Sequence, residues 1–131
     1  MMQFNFEKFT DVDSSFSARV TIRQRTGQIG FNVGAINRFS LQNHKYGVLY
    51  FDKENKVVGI ELTQEDVDGT IEIKHRPSNT YISAKNFLDK YEIDYDESHR
   101  YELKRDDQSG FLYFELESLV DEPEGVSTDQ Q

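Results

Sequence analysis

Apolar and polar residues alternate strictly along one stretch of this chain, and the rest of the sequence follows from that stretch. Over residues 16–25, Ala18, Val20 and Ile22 fall on one side and Arg19, Thr21, Arg23 and Arg25 on the other. A period of two marks a strand with one buried face. Thr26-Gly27 is a turn signal, after which residues 28–31 resume as a short strand with Ile29 and Phe31 together. Asn32 suits a helix N-cap, and Val33, Ile36 and Phe39 at three-residue spacing predict a helix over 33–40, with Leu41 packed beneath it. Residues 46–51 and 57–62 are rich in β-branched and aromatic side chains and flank a polar turn, which predicts a hairpin.

The pattern then restarts. Asp68-Gly69 is a turn, and Ile71, Ile73 and His75 alternate with Glu72, Lys74 and Arg76 as a strand whose apolar side includes the His75 ring. A turn at 77–79, a short strand at Tyr81-Ile82 and a helix over 84–91 capped by Ser83 follow, with Phe87, Leu88 and Tyr91 inward. Residues 101–105 and 111–116 form a second hairpin. Laid over each other, VTIRQR meets IEIKHR and FDKENKVVGIEL meets RDDQSGFLYFEL, with agreement in element order and apolar pattern rather than identity. The expected fold is α+β: mainly antiparallel strands in a small barrel or sandwich with two short helices, built from two similar β-β-α-β-β halves. Chance likeness is the alternative to duplication, because strands and short helices have few patterns.

The expected organisation is an N-terminal segment 1–15, one domain over 16–116 with halves 16–62 and 70–116, and a disordered acidic tail at 117–131 whose first residues dock. The Phe4/Phe6 alternation suggests a short edge strand. Only 36% of residues are hydrophobic, but 10 Phe and 7 Tyr supply large buried areas. Cysteine is absent, which excludes disulfides and thiol chemistry. No basic leader or long apolar run is present, so the expectation is a cytoplasmic protein with no membrane partner.

Charge changes this picture. The net charge is -9, which argues against a nucleic-acid partner, yet no Asp or Glu falls between Ser14 and Phe51. That window holds Arg19, Arg23, Arg25, Arg38 and Lys45. A basic island on an acidic chain can be an anion site, or it can pair with the chain's own carboxylates. In the second case Arg19, Arg23 and Arg25 would meet Glu72, Glu61 or the acidic tail.

VTIRQR, the Thr26-Gly27 turn, the short strand at Ile29-Gly30-Phe31, the Asn32-capped helix and the hairpin over 46–62 together resemble the AbrB-like swapped-hairpin domains of transcription factors and antitoxins. The family usually carries Pro where Asn32 stands, and a Gly-Asp pair where this chain has His44-Lys45-Tyr46. The resemblance implies dimers with interlocked hairpins, or, for a tandem copy, that dimer within one chain. It also implies DNA or another anionic partner meeting Arg19, Arg23, Arg25 and Arg38, with Lys74 and Arg76 as second-half counterparts. Arginines two apart on a strand lie about 7 Å apart, on the scale of adjacent phosphates.

The remaining chemistry is thinner. His44, His75 and His99 are the candidates for an alternative small-ligand or haem site in an aromatic pocket, but none has a paired metal-ligand spacing. No metal site, resident cofactor or catalytic residue is expected: Gly27, Gly30 and Gly34 do not form a phosphate loop, and no serine sits in a nucleophile elbow. The expected function is a non-enzymatic binding module, with an acidic protein–protein interaction domain as the other alternative.

Overall fold

The computed structural model describes residues 3–8 and 17–120. Within them the elements run β1 (Arg19–Ile22), β2 (Gln28–Phe31), α1 (Val33–Arg38), β3 (Tyr46–Asp52), β4 (Val57–Thr63), β5 (Thr70–Arg76), β6 (Asn79–Ser83), α2 (Lys85–Lys90), β7 (His99–Glu102), β8 (Lys104–Arg105) and β9 (Leu112–Glu115). A 3₁₀ turn, Leu41–Asn43, follows α1. The order β-β-α-β-β therefore occurs twice, if β7 and β8 count as one bent strand.

All pairings are antiparallel, in the order β7-β1-β2-β6-β5-β3-β4-β9-β8. The two ends of that order meet in sequence. β7 pairs with β1 and β8 with β9, and only Leu103 separates them; its N–H donates to the Ala18 carbonyl at 2.9 Å. The sheet thus curls into a nearly closed barrel, the barrel alternative of the expected fold. β5 is the other corner: Thr70–Glu72 pair with β3, and Ile73–Arg76 with β6.

The pairing interlocks the two halves. β3 of the first half pairs with β5 of the second, β7 of the second pairs with β1 of the first, and β2–β6 and β4–β9 join across the halves. Side chains repeat the exchange. Phe51 packs on Phe87 of α2 and on its C-cap residue Tyr91, at 6.3 and 5.1 Å between ring centroids, and the Arg105 guanidinium sits 5.4 Å over the ring of Phe39. The second expected hairpin is corrected accordingly: only 104–105 pair with β9, while 99–102 cross to β1.

One cluster fills the barrel. Val20, Ile22, Ile29, Ile82, Val58, Ile60, Leu112 and Phe114 from five strands are all fully buried, with Leu41 and Leu88 closing from the helical turns. The predicted alternation holds: Val20 and Ile22 point in, and Arg19 and Thr21 point out.

Local chemistry explains the connections. Asn32 caps α1 as expected, its Oδ1 accepting from the Ala35 N–H at 2.8 Å and from the Arg19 N–H at 3.0 Å. The predicted inward line of α1 holds for Ile36 and Phe39 and is corrected at Val33, which is exposed; Gly34 and Ala35 are buried beside them. Ser83 does not cap α2; it ends β6, and Ala84 precedes the helix without a side-chain cap. Gly27 has φ 68°, and a Cβ there would stand 2.9 Å from Lys85 Cα, so this turn needs glycine twice over. Residues 3–8 form no strand; Phe4 and Phe6 are exposed and stack on each other at 5.6 Å. The start of the tail does dock, through a bridge between Tyr101 and Leu119 and a bond from the Val120 N–H to the Arg100 carbonyl. Residues 9–16 and 121–131 lie outside the described residues.

The hairpin turns repeat one device. Asp52 Oδ1 accepts from the Glu54 and Asn55 N–H groups at 3.1 Å, and Asp106 Oδ2 accepts from the Ser109 N–H and hydroxyl at 3.2 and 2.7 Å. These bonds favour the charged form, so both carboxyls are held below the ordinary aspartate value: Asp52 mainly by the Asn55 side chain, Asp106 mainly by the Ser109 side chain. Their contribution to stability is complete above the unfolded-chain value and disappears as pH falls through the depressed folded values. Urea midpoints should therefore drop on acidification below the usual carboxylate range, and by less in Asp106→Asn than in the wild type.

Candidate nucleic-acid interface

The basic residues sort onto one outer surface because β1, β2, β6 and β5 are neighbours. Register places Arg100, Thr21, Gly30, Tyr81 and Lys74 in one row across β7, β1, β2, β6 and β5. Arg19 stands beside Thr21 on β1, opposite Glu102, and Arg76 lies on β5 opposite Asn79. Five strands at about 4.8 Å spacing span roughly 19 Å between the outer two.

Arg23 is the centrepiece. Its guanidinium lies flat across Gly30, where a Cβ would come within 2.1 Å of Nη2. The Gln28 side-chain oxygen accepts from Nη1 at 2.9 Å. The absent side chain of Gly30 makes room, and Gln28 fixes the orientation. The partner is a neutral amide, so the positive charge is not cancelled.

Arg25 corrects the expected three-arginine strand face. β1 ends at Ile22, and Arg25 stands on the turn to β2 with φ 71°. That conformation costs a residue with a Cβ about 1–2 kcal/mol. Arg25→Gly should therefore leave the melting temperature unchanged or raise it while weakening duplex binding; a scanning calorimetry trace and one titration check both. A melting point that falls together with affinity would refute the assignment of Arg25 to contact rather than to folding.

Of the carboxylates expected to meet the arginines, Glu72 and Glu61 have other partners, and the acidic tail beyond residue 120 lies outside the described residues. Lys74 pairs with Glu72 at 3.1 Å, Lys85 with Asp89 at 3.0 Å and Lys104 with Glu115 at 3.0 Å. Glu61 accepts from the Tyr50 hydroxyl at 2.7 Å. None of these engages Arg23, Arg25, Arg38 or Arg76. The Lys74–Glu72 pair is solvent-exposed, a kind of contact that contributes about 0–1 kcal/mol and exchanges easily. Arg38 lies apart from the row, exposed in the last turn of α1, where a cation complements the helix dipole.

The histidines are placed differently. His75 Nε2 lies 3.0 Å from the His44 carbonyl oxygen, and His44 Nδ1 lies 3.1 Å from the Ser40 carbonyl. A carbonyl only accepts, so each of these ring nitrogens donates. His75 is exposed, at a position where β5 pairs with β6 and its pairing with β3 has ended. His99 is on β7, across the ring of strands from β5. The structure thus brings His44 and His75 together and leaves His99 apart; among the described residues no three His, Asp or Glu side chains are grouped to hold a metal. No helix there is long and apolar enough to cross a membrane.

Two residues on the basic face escaped sequence reasoning. Tyr81 stands half-buried between Gly30 and Lys74, and Arg100 faces Thr21 from β7. The alternation of Tyr81 with Ile82 carried the signal for the first; nothing local marked the second. Comparison of the chain with family models, curated proteins and solved structures finds no match.

Proposed function

We propose that this chain is a non-enzymatic DNA-binding module of the transcription-regulator or antitoxin kind, meeting the duplex with the outer face of β1, β2, β6 and β5. The observation that carries this reading is Arg23, held across Gly30 by a neutral partner, with Arg25 on the adjoining turn and Arg19, Lys74 and Arg76 on β1 and β5 of the same sheet. Phosphates would be met by Arg25 at the turn and by Lys74 and Arg76, while the Arg23 guanidinium lies over Gly30 at the middle of the row. β1 and β2 are flanked by β7 and β6, so the duplex would meet the outer face of the sheet and the basic turn that carries Arg25.

The interlocked halves favour the same reading. In an AbrB-like dimer two copies exchange hairpins; here β3–β4 and β7–β8–β9 exchange sides within one chain. On this reading the chain is a fused pseudo-dimer, with Lys74 and Arg76 on β5 as second-half counterparts of the first-half arginines on β1 and its turn. The histidine alternative has less behind it, since His44 and His75 bond backbone carbonyls and His99 is across the barrel.

The test is an anisotropy titration of a labelled duplex with the full chain at several salt concentrations. Binding should weaken linearly on a log–log plot, with a slope of about -0.9 per phosphate neutralised. No binding at low salt, or binding indifferent to salt, would end the proposal.

A further inference from the structure

The side of the barrel opposite the basic face has the reverse chemistry. β4 and β9 lie across the ring of strands from β2 and β6. Register sets Tyr50, Gly59, Tyr113 and Lys104 in one row over β3, β4, β9 and β8. Gly59 leaves a gap in that row, and Tyr50 and Phe111 stack across it, 4.8 Å between centroids and 26° between planes. The result is a bowl of about 290 Å³ lined by Tyr50, Phe111 and Tyr113, with Asp52 and Asp106 contributed by the two hairpin turns.

The charges around this bowl are acidic. Asp52, Glu61, Asp106 and Glu115 belong to these strands and their turns, and the turn residues Lys53, Glu54, Lys56 and Asp107 balance one another. Of the two cations on β8, Lys104 is held by Glu115 at 3.0 Å and Arg105 lies 5.4 Å over the ring of Phe39. Glu61 accepts the Tyr50 hydroxyl bond and pushes the phenol's ionisation upward, which keeps that ring neutral.

We infer that this face docks a basic peptide segment of a partner protein, seating an arginine side chain in the bowl. Charge complementarity chooses a cationic occupant. The flat aromatic floor chooses arginine over lysine, because a guanidinium stacks on ring faces while its fork meets carboxylates. Since the bowl and the basic row are on opposite sides, the peptide and a polyanion can be held together.

A fluorescein-labelled peptide of alternating arginine and glycine, titrated into the full chain, tests this. The wild type should bind it. Gly59→Val fills the bowl, and a Cβ there meets Tyr50 and Phe111 at ordinary distances of 3.6 and 3.8 Å. The pair Asp52→Asn and Asp106→Asn keeps the turn acceptors while removing two charges. Each change should weaken binding by more than about tenfold, the scale of one stacked and ion-paired arginine, whereas Glu72→Gln on the other face should not. If Gly59→Val fails to fold, the Asn pair decides. Failure of the wild type to bind, equal binding by the variants, or displacement of the peptide by a DNA duplex would each overturn the inference.

Discussion

Arg23→Glu is expected to lower affinity for duplex DNA by at least about tenfold at low salt, since it removes a central contact and adds a repelling charge. The fold should survive, because the side chain lies on the outer surface and is held by a hydrogen bond to the Gln28 side chain. Gly30→Val separates charge from placement. A valine at that strand position keeps the arginine but pushes its guanidinium off the sheet, since even a Cβ overlaps it. Affinity should fall by less than in Arg23→Glu, with the thermal melt preserved. Anisotropy titrations of both variants read the effect. Wild-type affinity in Arg23→Glu would remove Arg23 from the interface.

Phe114→Ala should cost about 3–5 kcal/mol of stability, the range for deleting a buried aromatic ring. Phe114 is fully buried on β9, opposite Val58, and packs on Tyr101 at 5.2 Å between centroids. Domains of this size hold about 5–15 kcal/mol in all, so the variant sits near the edge of folding. Because each half supplies strands to the other, the loss should melt everything at once. Urea unfolding followed by circular dichroism and by tyrosine fluorescence should give one coincident, shifted transition. Two separated transitions would mean that the halves fold independently, which the exchange of β3 and β7 does not allow.

Much of the fold was legible because the relevant signals are local. The alternation of Val20 and Ile22 with Arg19 and Thr21, the turn at Gly27, the Asn32 cap and the β3–β4 hairpin are each written within a few residues. Partner choice was not legible. Period-two patterning says which face of a strand is buried, not which strand lies beside it, so the β1–β7 and β3–β5 pairings and the bend at Leu103 had no local mark. Strand ends misled in the same way: the period placed His75 inward and Arg25 on a strand face, but β5 has lost its pairing with β3 at one and β1 has already ended at the other. The basic candidates were recognisable as a run of charge. That Arg23 lies over Gly30, and that Gly59 opens a bowl beneath Tyr50 and Phe111, depends on neighbours brought in from other strands.

Amide chemical-shift mapping on the isotope-labelled full chain, with a DNA duplex added, puts the two-faced barrel to the most direct test. Shifts should concentrate at Thr21, Arg23, Gly30, Lys74 and Tyr81 and leave Gly59 and Tyr113 unmoved. Shifts centred on Gly59 and Tyr113, or none at all, would contradict it.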